Sequence, residues 1–170
     1  MTPARLVLVR HAKSDYPTGV PDHDRPLSPR GQRDAVAAGQ WLAAGWRELL
    51  GGQALLLVSS AKRAQQTCAL LAGELAPCEV RTEPALYDAA VSTLISVVAR
   101  HAIAGRATVV IAHNPGLEQL AAFLTAGSSS PARPRLLEKY PTSAIAVLQL
   151  MDEHWADGSA ELVEFAVPRG

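Results

Sequence analysis

Short runs of leucine and β-branched residues that stop at polar residues and give way to helical periodicity leave a chain few folds to choose from. Leu6–Val9 ends in Arg10 and His11, Leu55–Val58 ends in Ser59 and Ser60, and Thr108–Ala112 ends in His113 and Asn114. Runs this unbroken suit strands covered on both faces. Strands that alternate with helices predict an α/β fold, a three-layer sandwich whose mostly parallel central sheet carries helices on both faces. Ser143–Leu150 and Glu161–Val167 flank a polar turn with Asp157 and Gly158, which predicts an antiparallel C-terminal hairpin at the sheet edge. The 170 residues suit one domain spanning 1–170.

The connecting elements follow from capping chemistry. Strand one is expected at Arg5–Val9, followed by a polar loop over residues 10 to 27. Ser28 is the expected N-cap of the first helix, with Pro29 in its first turn. Ala35, Ala38, Trp41, Leu42 and Gly45 recur on one helical face. A second helix is expected from a Ser59 or Ser60 cap to about Leu75, and strand three at Cys78–Thr82. A third helix is expected over 91 to 104, and a fourth from Asn114 as N-cap with Pro115 behind it. The stretch with Gly127, three serines and two prolines reads as a loop. Trp41, Trp46 and Trp155 read as core or core-edge residues.

Charge narrows the partners. Sixteen basic and sixteen acidic residues balance to a net charge of zero, which argues against a nucleic-acid or anionic-membrane surface built on bulk charge. The apolar runs are too short to cross a membrane, and Met1–Arg5 leads into no signal-peptide core. Cys68 and Cys78 have no metal-binding spacing and read as reduced thiols, so a cytoplasmic location is expected.

The chemistry gathers at strand ends, where open α/β sheets place their ligand sites. Arg10 offers a planar cationic fork suited to phosphate, and His11 a ring nitrogen able to attack phosphorus. Arg63 falls in the first turn of the second helix, beside unpaired backbone N–H groups, where a cation is unfavourable unless an anion offsets it. His113 leaves another buried strand just before a helix. His23 in the first loop, His101 late in a helix and His154 in the hairpin turn carry little weight.

At this point the chain resembles a known family. Leu8-Val9-Arg10-His11-Ala12-Lys13-Ser14, with Asp24-Arg25-Pro26-Leu27-Ser28 and Arg30-Gly31 behind it, is similar to the opening of the histidine phosphatase (phosphoglycerate-mutase-like) superfamily. Its SixA-like phosphohistidine phosphatase branch is the nearest likeness. Ser60–Thr67 resembles the family's second arginine motif, Ala112–Leu117 its second histidine motif, and Tyr140–Val147 the branch's final strand. The resemblance implies that His11 is the nucleophile and forms a phosphohistidine. It implies that Arg10, Arg63 and His113, as an imidazolium, hold the phosphoryl oxygens, with Lys13 beside them at the substrate. Neither cofactor nor metal is implied, and phosphate-like oxyanions should enter the pocket.

Larger family members carry an acidic residue after the third strand to protonate an alkoxide. Here that region reads Pro84-Ala85-Leu86-Tyr87-Asp88-Ala89, with Tyr87 at the expected position and Asp88 one residue late. Asp88 is therefore both a candidate acid and a candidate turn residue, and Asp15, Asp22 and Asp24 are other candidates in the first loop, where solvated turn residues are the default. A phosphohistidine can be protonated on its own ring, so its imidazole needs less help to leave. The resemblance thus implies a metal-free phosphatase acting on phosphohistidine of a protein. A phosphatase of a small phosphorylated metabolite and a catalytically idle phosphate-binding module stay open as alternatives. A metal-dependent hydrolase lacks a paired-histidine motif.

Overall fold

The apolar runs pair as their pattern requires. The structure is a computed structural model that describes residues 4–103, 105–151 and 155–170. Six strands, β1 (Arg5–Arg10), β2 (Ala54–Val58), β3 (Glu79–Thr82), β4 (Ala107–Ala112), β5 (Ile145–Leu150) and β6 (Ala160–Ala166), form one sheet in the order β3-β2-β4-β1-β5-β6. β1, β2, β3 and β4 run parallel, while β5 lies antiparallel to β1 and β6 antiparallel to β5. The expected α/β sandwich and edge hairpin are both present.

Helices α1 (Pro29–Ala44), α2 (Trp46–Leu50), α3 (Lys62–Gly73), α4 (Val91–His101), α5 (Gly116–Leu124) and α6 (Arg133–Glu138) cover the two faces. Alternation along each strand splits the core. Val7, Val9, Leu56, Val58, Val109 and Ile111 pack with Ala38, Leu42, Ala64 and Leu71 of α1 and α3. Leu6, Leu8, Leu55, Leu57 and Val110 pack with Leu94, Val98, Leu117, Leu120 and Leu136 of α4, α5 and α6. Trp41 and Trp46 sit at the edge of the first layer, and Trp155 at the edge of the second.

Several boundaries differ from the pattern, each for a local reason. The Ser28 hydroxyl caps α1 by accepting from the Gly31 N–H at 3.0 Å, as expected. Neither Ser59 nor Ser60 caps α3, whose N-cap is Ala61, because both serine side chains bond histidines instead. α3 stops at Gly73, before Leu75, and Cys78 stands just outside β3. Pro115, not Asn114, precedes α5, across a cis Asn114–Pro115 bond, and the Asn114 amide donates to the Tyr140 carbonyl and to Glu118, each at 3.0 Å. The stretch after Gly127 is not all loop: it holds α6, with Pro134 in the first turn. α4 ends at His101, and both residue 104 and His154 lie outside the described residues.

Candidate active site

Backbone pairing fixes the strand ends before any side chain acts. The His11 N–H donates to the Ala112 carbonyl at 3.0 Å, and the Ser59 N–H to the Ile111 carbonyl at 3.0 Å. The Ser143 N–H donates to the Arg10 carbonyl at 3.1 Å, which ties the loop before β5 to the end of β1. Arg10, His11, Ser59 and His113 therefore emerge side by side at the carboxyl ends of the central strands β1, β2 and β4. Thr67 joins α3 to this end of the sheet: its hydroxyl accepts the Ala12 N–H at 3.0 Å and donates to the Arg63 carbonyl at 2.7 Å.

The ring orientations follow. The His11 Nδ1 donates to the Ala12 carbonyl at 2.8 Å, so the proton sits on Nδ1 and Nε2 carries the lone pair. The Nε–H of Arg63 points at that lone pair from 3.3 Å. The His11 and His113 rings lie 5.0 Å apart. Ser59 Oγ stands 2.8 Å from His113 Nε2 and also accepts the Ala61 N–H. The other ring nitrogen of His113, Nδ1, is a buried atom without a partner among the described residues. Arg10 donates through Nη1 to the Tyr140 carbonyl at 2.9 Å, while its Nε is also buried and unpartnered.

Electrostatics keep both rings neutral. Burial, more than any neighbour, lowers the His11 pKa to about 3; the bond to the Ala12 carbonyl opposes this, and His113, Arg63 and Arg10 add to it. His113 falls to about 4, again chiefly through burial and then through Arg63. The expected imidazolium at His113 is thus a neutral ring in this structure, because burial, and then the cations that suit a phosphate, discourage a further positive charge.

Asp22 belongs to this cluster, although its sequence context suggested a solvated turn. It sits in a single 3₁₀ turn, Asp22–Asp24. Arg63 Nη1 donates to its main-chain carbonyl at 2.6 Å and Nη2 to its Oδ2 at 3.0 Å. The Tyr87 hydroxyl donates to the same Oδ2 at 2.8 Å, and Arg25 Nη1 to Oδ1 at 2.6 Å. The bond from Tyr87, and then Arg63 and Arg25, hold the Asp22 carboxyl at about 2, against a smaller opposing effect of burial. The same bond raises the Tyr87 pKa, so the phenol keeps its proton. A sequence signal existed: Asp22 and Arg25 stand three apart, the spacing of one tight turn.

Asp88 does not join the cluster. It is exposed, with a backbone φ of +49°, and its side chain makes no hydrogen bond among the described residues. Its neighbour Tyr87 enters instead and sets its ring edge-on to His113, with centroids 5.6 Å apart. Lys13 is exposed too, its ammonium 5.7 Å from the Tyr16 ring, and only its carbonyl is fixed, by Ser28. His23 is not a free loop residue: Nε2 meets the Ser60 hydroxyl at 2.9 Å, and its ring packs edge-on to Tyr87 at 4.9 Å. His101 bonds Glu83 at 2.9 Å. No group of three or more His, Cys, Asp or Glu side chains is placed to hold a metal among the described residues.

Two guanidiniums and two neutral imidazoles around one lone pair can hold a tetrahedral oxyanion against a nitrogen nucleophile, the arrangement of a phosphoryl-transfer protein. Comparison with known proteins gives the family. The profile of the histidine phosphatase superfamily (branch 1) matches residues 6–96. An uncharacterised protein of Mycobacterium tuberculosis is 44% identical over 166 residues, covering 95% of this chain and all of that one. A protein of Nakamurella multipartitia assigned as the phosphohistidine phosphatase SixA is 31% identical, with a TM-score of 0.82 over 97% of this chain and 96% of its own. The histidine phosphatase SixA complexed with tungstate shares the fold at 24% identity and a TM-score of 0.75, covering 96% of this chain and 97% of that one. The chain belongs to the histidine phosphatase superfamily.

Proposed function

We propose that the protein is a metal-free phosphatase that works through a phosphohistidine on His11 and removes the phosphoryl group from phosphohistidine of a protein. The observation that carries this reading is the fixed tautomer of His11: Nδ1 is committed to the Ala12 carbonyl, and the lone pair of Nε2 faces the Arg63 guanidinium. An idle phosphate-binding module has no use for such a lone pair. In the first step Nε2 attacks phosphorus, the bond from phosphorus to the substrate nitrogen breaks, and the electron pair leaves with the substrate imidazole. In the second step water attacks phosphorus, the bond to Nε2 breaks, and phosphate departs with His11 restored.

The oxygens of the transferring group find donors already in place. Arg10 Nε and His113 Nδ1 are buried without partners among the described residues, a state that buried polar atoms rarely keep unless a ligand completes them. Arg63 Nε, which donates to His11 Nε2 in this structure, becomes the third donor once phosphorus takes that lone pair. Two fixed guanidiniums carry the positive charge that other phosphatases draw from a metal.

The substrate class rests on the missing acid. Asp22, at about 2, is ionised at neutral pH and has no proton to give, Tyr87 keeps its own, and Asp88 stands outside. A poor alkoxide leaving group gets no help here, whereas a phosphohistidine ring carries its own proton. The assignment of the Nakamurella relative points the same way. We place this activity in the cytoplasm, where both thiols stay reduced.

The test is chemical trapping. Brief incubation with labelled phosphohistidine protein and a denaturing quench should leave an acid-labile, base-stable phosphoryl group on His11. Turnover should persist in a chelator and be competed by vanadate or tungstate. A His11→Ala enzyme retaining more than about a hundredth of wild-type turnover overturns the nucleophile assignment. Activity lost in a chelator and restored by a divalent ion overturns the metal-free reading.

A further inference from the structure

Five side chains close a ring around the pocket mouth. His11 Nε2 meets Arg63 at 3.3 Å, Arg63 meets Asp22 at 3.0 Å, and Asp22 meets Tyr87 at 2.8 Å. Tyr87 abuts His113 at 5.6 Å between centroids, and His113 abuts His11 at 5.0 Å. His11 and His113 are the deep members, 8% and 7% exposed, whereas the Asp22 side chain is 53% exposed. In an in-line displacement the leaving group lies opposite the nucleophile. With Nε2 of His11 at the floor, the leaving group points outward, toward the rim that Asp22 occupies.

A carboxylate here is costly for binding phosphate, which shares its charge. Arg63 and Arg25 offset that cost, and the bonds they make leave the carboxylate with spare capacity. A carboxylate offers about four acceptor positions; Arg63, Tyr87 and Arg25 take three, which leaves one on Oδ1.

Resting on the phosphatase reading above, we infer that Asp22 is a specificity-determining residue that accepts a hydrogen bond from the N–H of a cationic leaving group. Asp22 thereby favours N-phosphorylated substrates, whose leaving imidazole is protonated, over O-phosphorylated ones. The carboxylate neither gives nor takes the proton. It favours the protonated ring, in which the bond from phosphorus to nitrogen breaks with the electron pair going to the ring, and neutral imidazole departs. Its low pKa fits this use and rules out donation.

The test compares two substrates of different leaving-group charge, N-phosphoimidazole and p-nitrophenyl phosphate, in wild type, Asp22→Asn and Asp22→Glu. The Asn amide oxygen still accepts from Arg63, and the main-chain carbonyl contact is untouched, so this change removes charge while leaving the guanidinium held. We expect kcat/KM for N-phosphoimidazole to fall about ten- to hundredfold in Asp22→Asn, the worth of a hydrogen bond to a charged group. For p-nitrophenyl phosphate the fall should stay within about threefold, and Asp22→Glu should recover part of the preference. An equal fall on both substrates, or no fall on either, overturns the inference and reduces Asp22 to a support for Arg63. A wild-type enzyme that hydrolyses neither substrate, nor phosphohistidine protein, overturns the phosphatase reading itself, and this inference with it.

Discussion

Thr67→Val tests whether the loop that follows β1 and carries His11 depends on one buried hydroxyl. Thr67 and Ala12 are both wholly buried, and the Ala12 N–H has the Thr67 oxygen as its acceptor at 3.0 Å. Valine matches threonine in shape, so the change opens no cavity and strips only the hydrogen bond. The Arg63 carbonyl keeps its helical partner, so the loss falls on the Ala12 N–H, which no water can reach. An unsatisfied buried donor costs about 1–3 kcal/mol. For a domain of this size that corresponds to a drop in Tm of about 2–12 °C. The Ala12 carbonyl holds His11 Nδ1, so a loosened Ala12 lets the ring turn, and kcat should fall about tenfold or more. Urea unfolding followed by circular dichroism gives the stability, and aryl phosphate turnover gives the rate. Thr67→Ser, which keeps the hydroxyl, should recover most of the lost activity. Less than about 0.5 kcal/mol of destabilisation together with unchanged kcat would refute the reasoning.

Three further outcomes follow from the same geometry. Ser59→Ala removes the hydroxyl bonded to His113 Nε2, so kcat should fall about tenfold, with Ser59→Thr as the conservative control; steady-state kinetics at neutral pH decide it, and an unchanged kcat removes Ser59 from the site. Gly31→Ala should destabilise by more than about 1 kcal/mol and slow turnover, since a Cβ there overlaps the Lys13 carbonyl oxygen just past His11; a normal melt and normal rate would show that α1 and the loop shift freely. Acid should unfold the protein through its histidines: burial holds His11 at about 3 and His113 at about 4 in the folded state, below the ordinary histidine value of about 6.5, so below pH 6.5 the unfolded chain binds protons that the folded one refuses. Stability is then complete above pH 6.5 and declines as pH falls toward 4, each histidine adding a slope of up to about 1.4 kcal/mol per pH unit; urea titrations between pH 7 and pH 4.5 should show a shallower slope in His113→Gln, and identical slopes would sink the assignment.

The strand ends were legible because their side chains are delivered by backbone pairing. Once Leu6–Val9 and Thr108–Ala112 are adjacent parallel strands, His11 and His113 must emerge at the same end of the sheet, whatever the loops do. Arg63 was legible for a related reason, since a cation in the first turn of α3 needs an anion, and the structure supplies Asp22. The caps were less legible. Ser28 caps α1 because nothing competes for its hydroxyl's lone pair, whereas Ser59 and Ser60 each meet a histidine brought from more than thirty residues away. A local pattern contains no trace of such a partner. α6 was hidden by the serines and prolines before it, although Pro134 sits where a helix tolerates proline best, in the first turn.

The acid was the hardest residue to read, and the reason lies in charge more than in position. Spacing directs attention to Asp88, and the structure puts Asp22 in the cluster instead, but neither choice yields a proton donor. A pocket that holds a phosphoryl group without a metal needs fixed cations within a few ångströms of phosphorus. Those same cations, and the donors around them, keep a neighbouring carboxyl ionised, as Tyr87, Arg63 and Arg25 do to Asp22. A carboxylic acid can stay protonated beside such cations only if burial opposes them strongly, and Asp22, half-exposed at the rim, has little of that protection. An open mouth and a working carboxylic acid are therefore hard to combine in this scaffold. Substrates that bring their own proton on the leaving group fit the resulting chemistry, so the openness of the rim and the preference for phosphohistidine proposed above would have a common electrostatic cause.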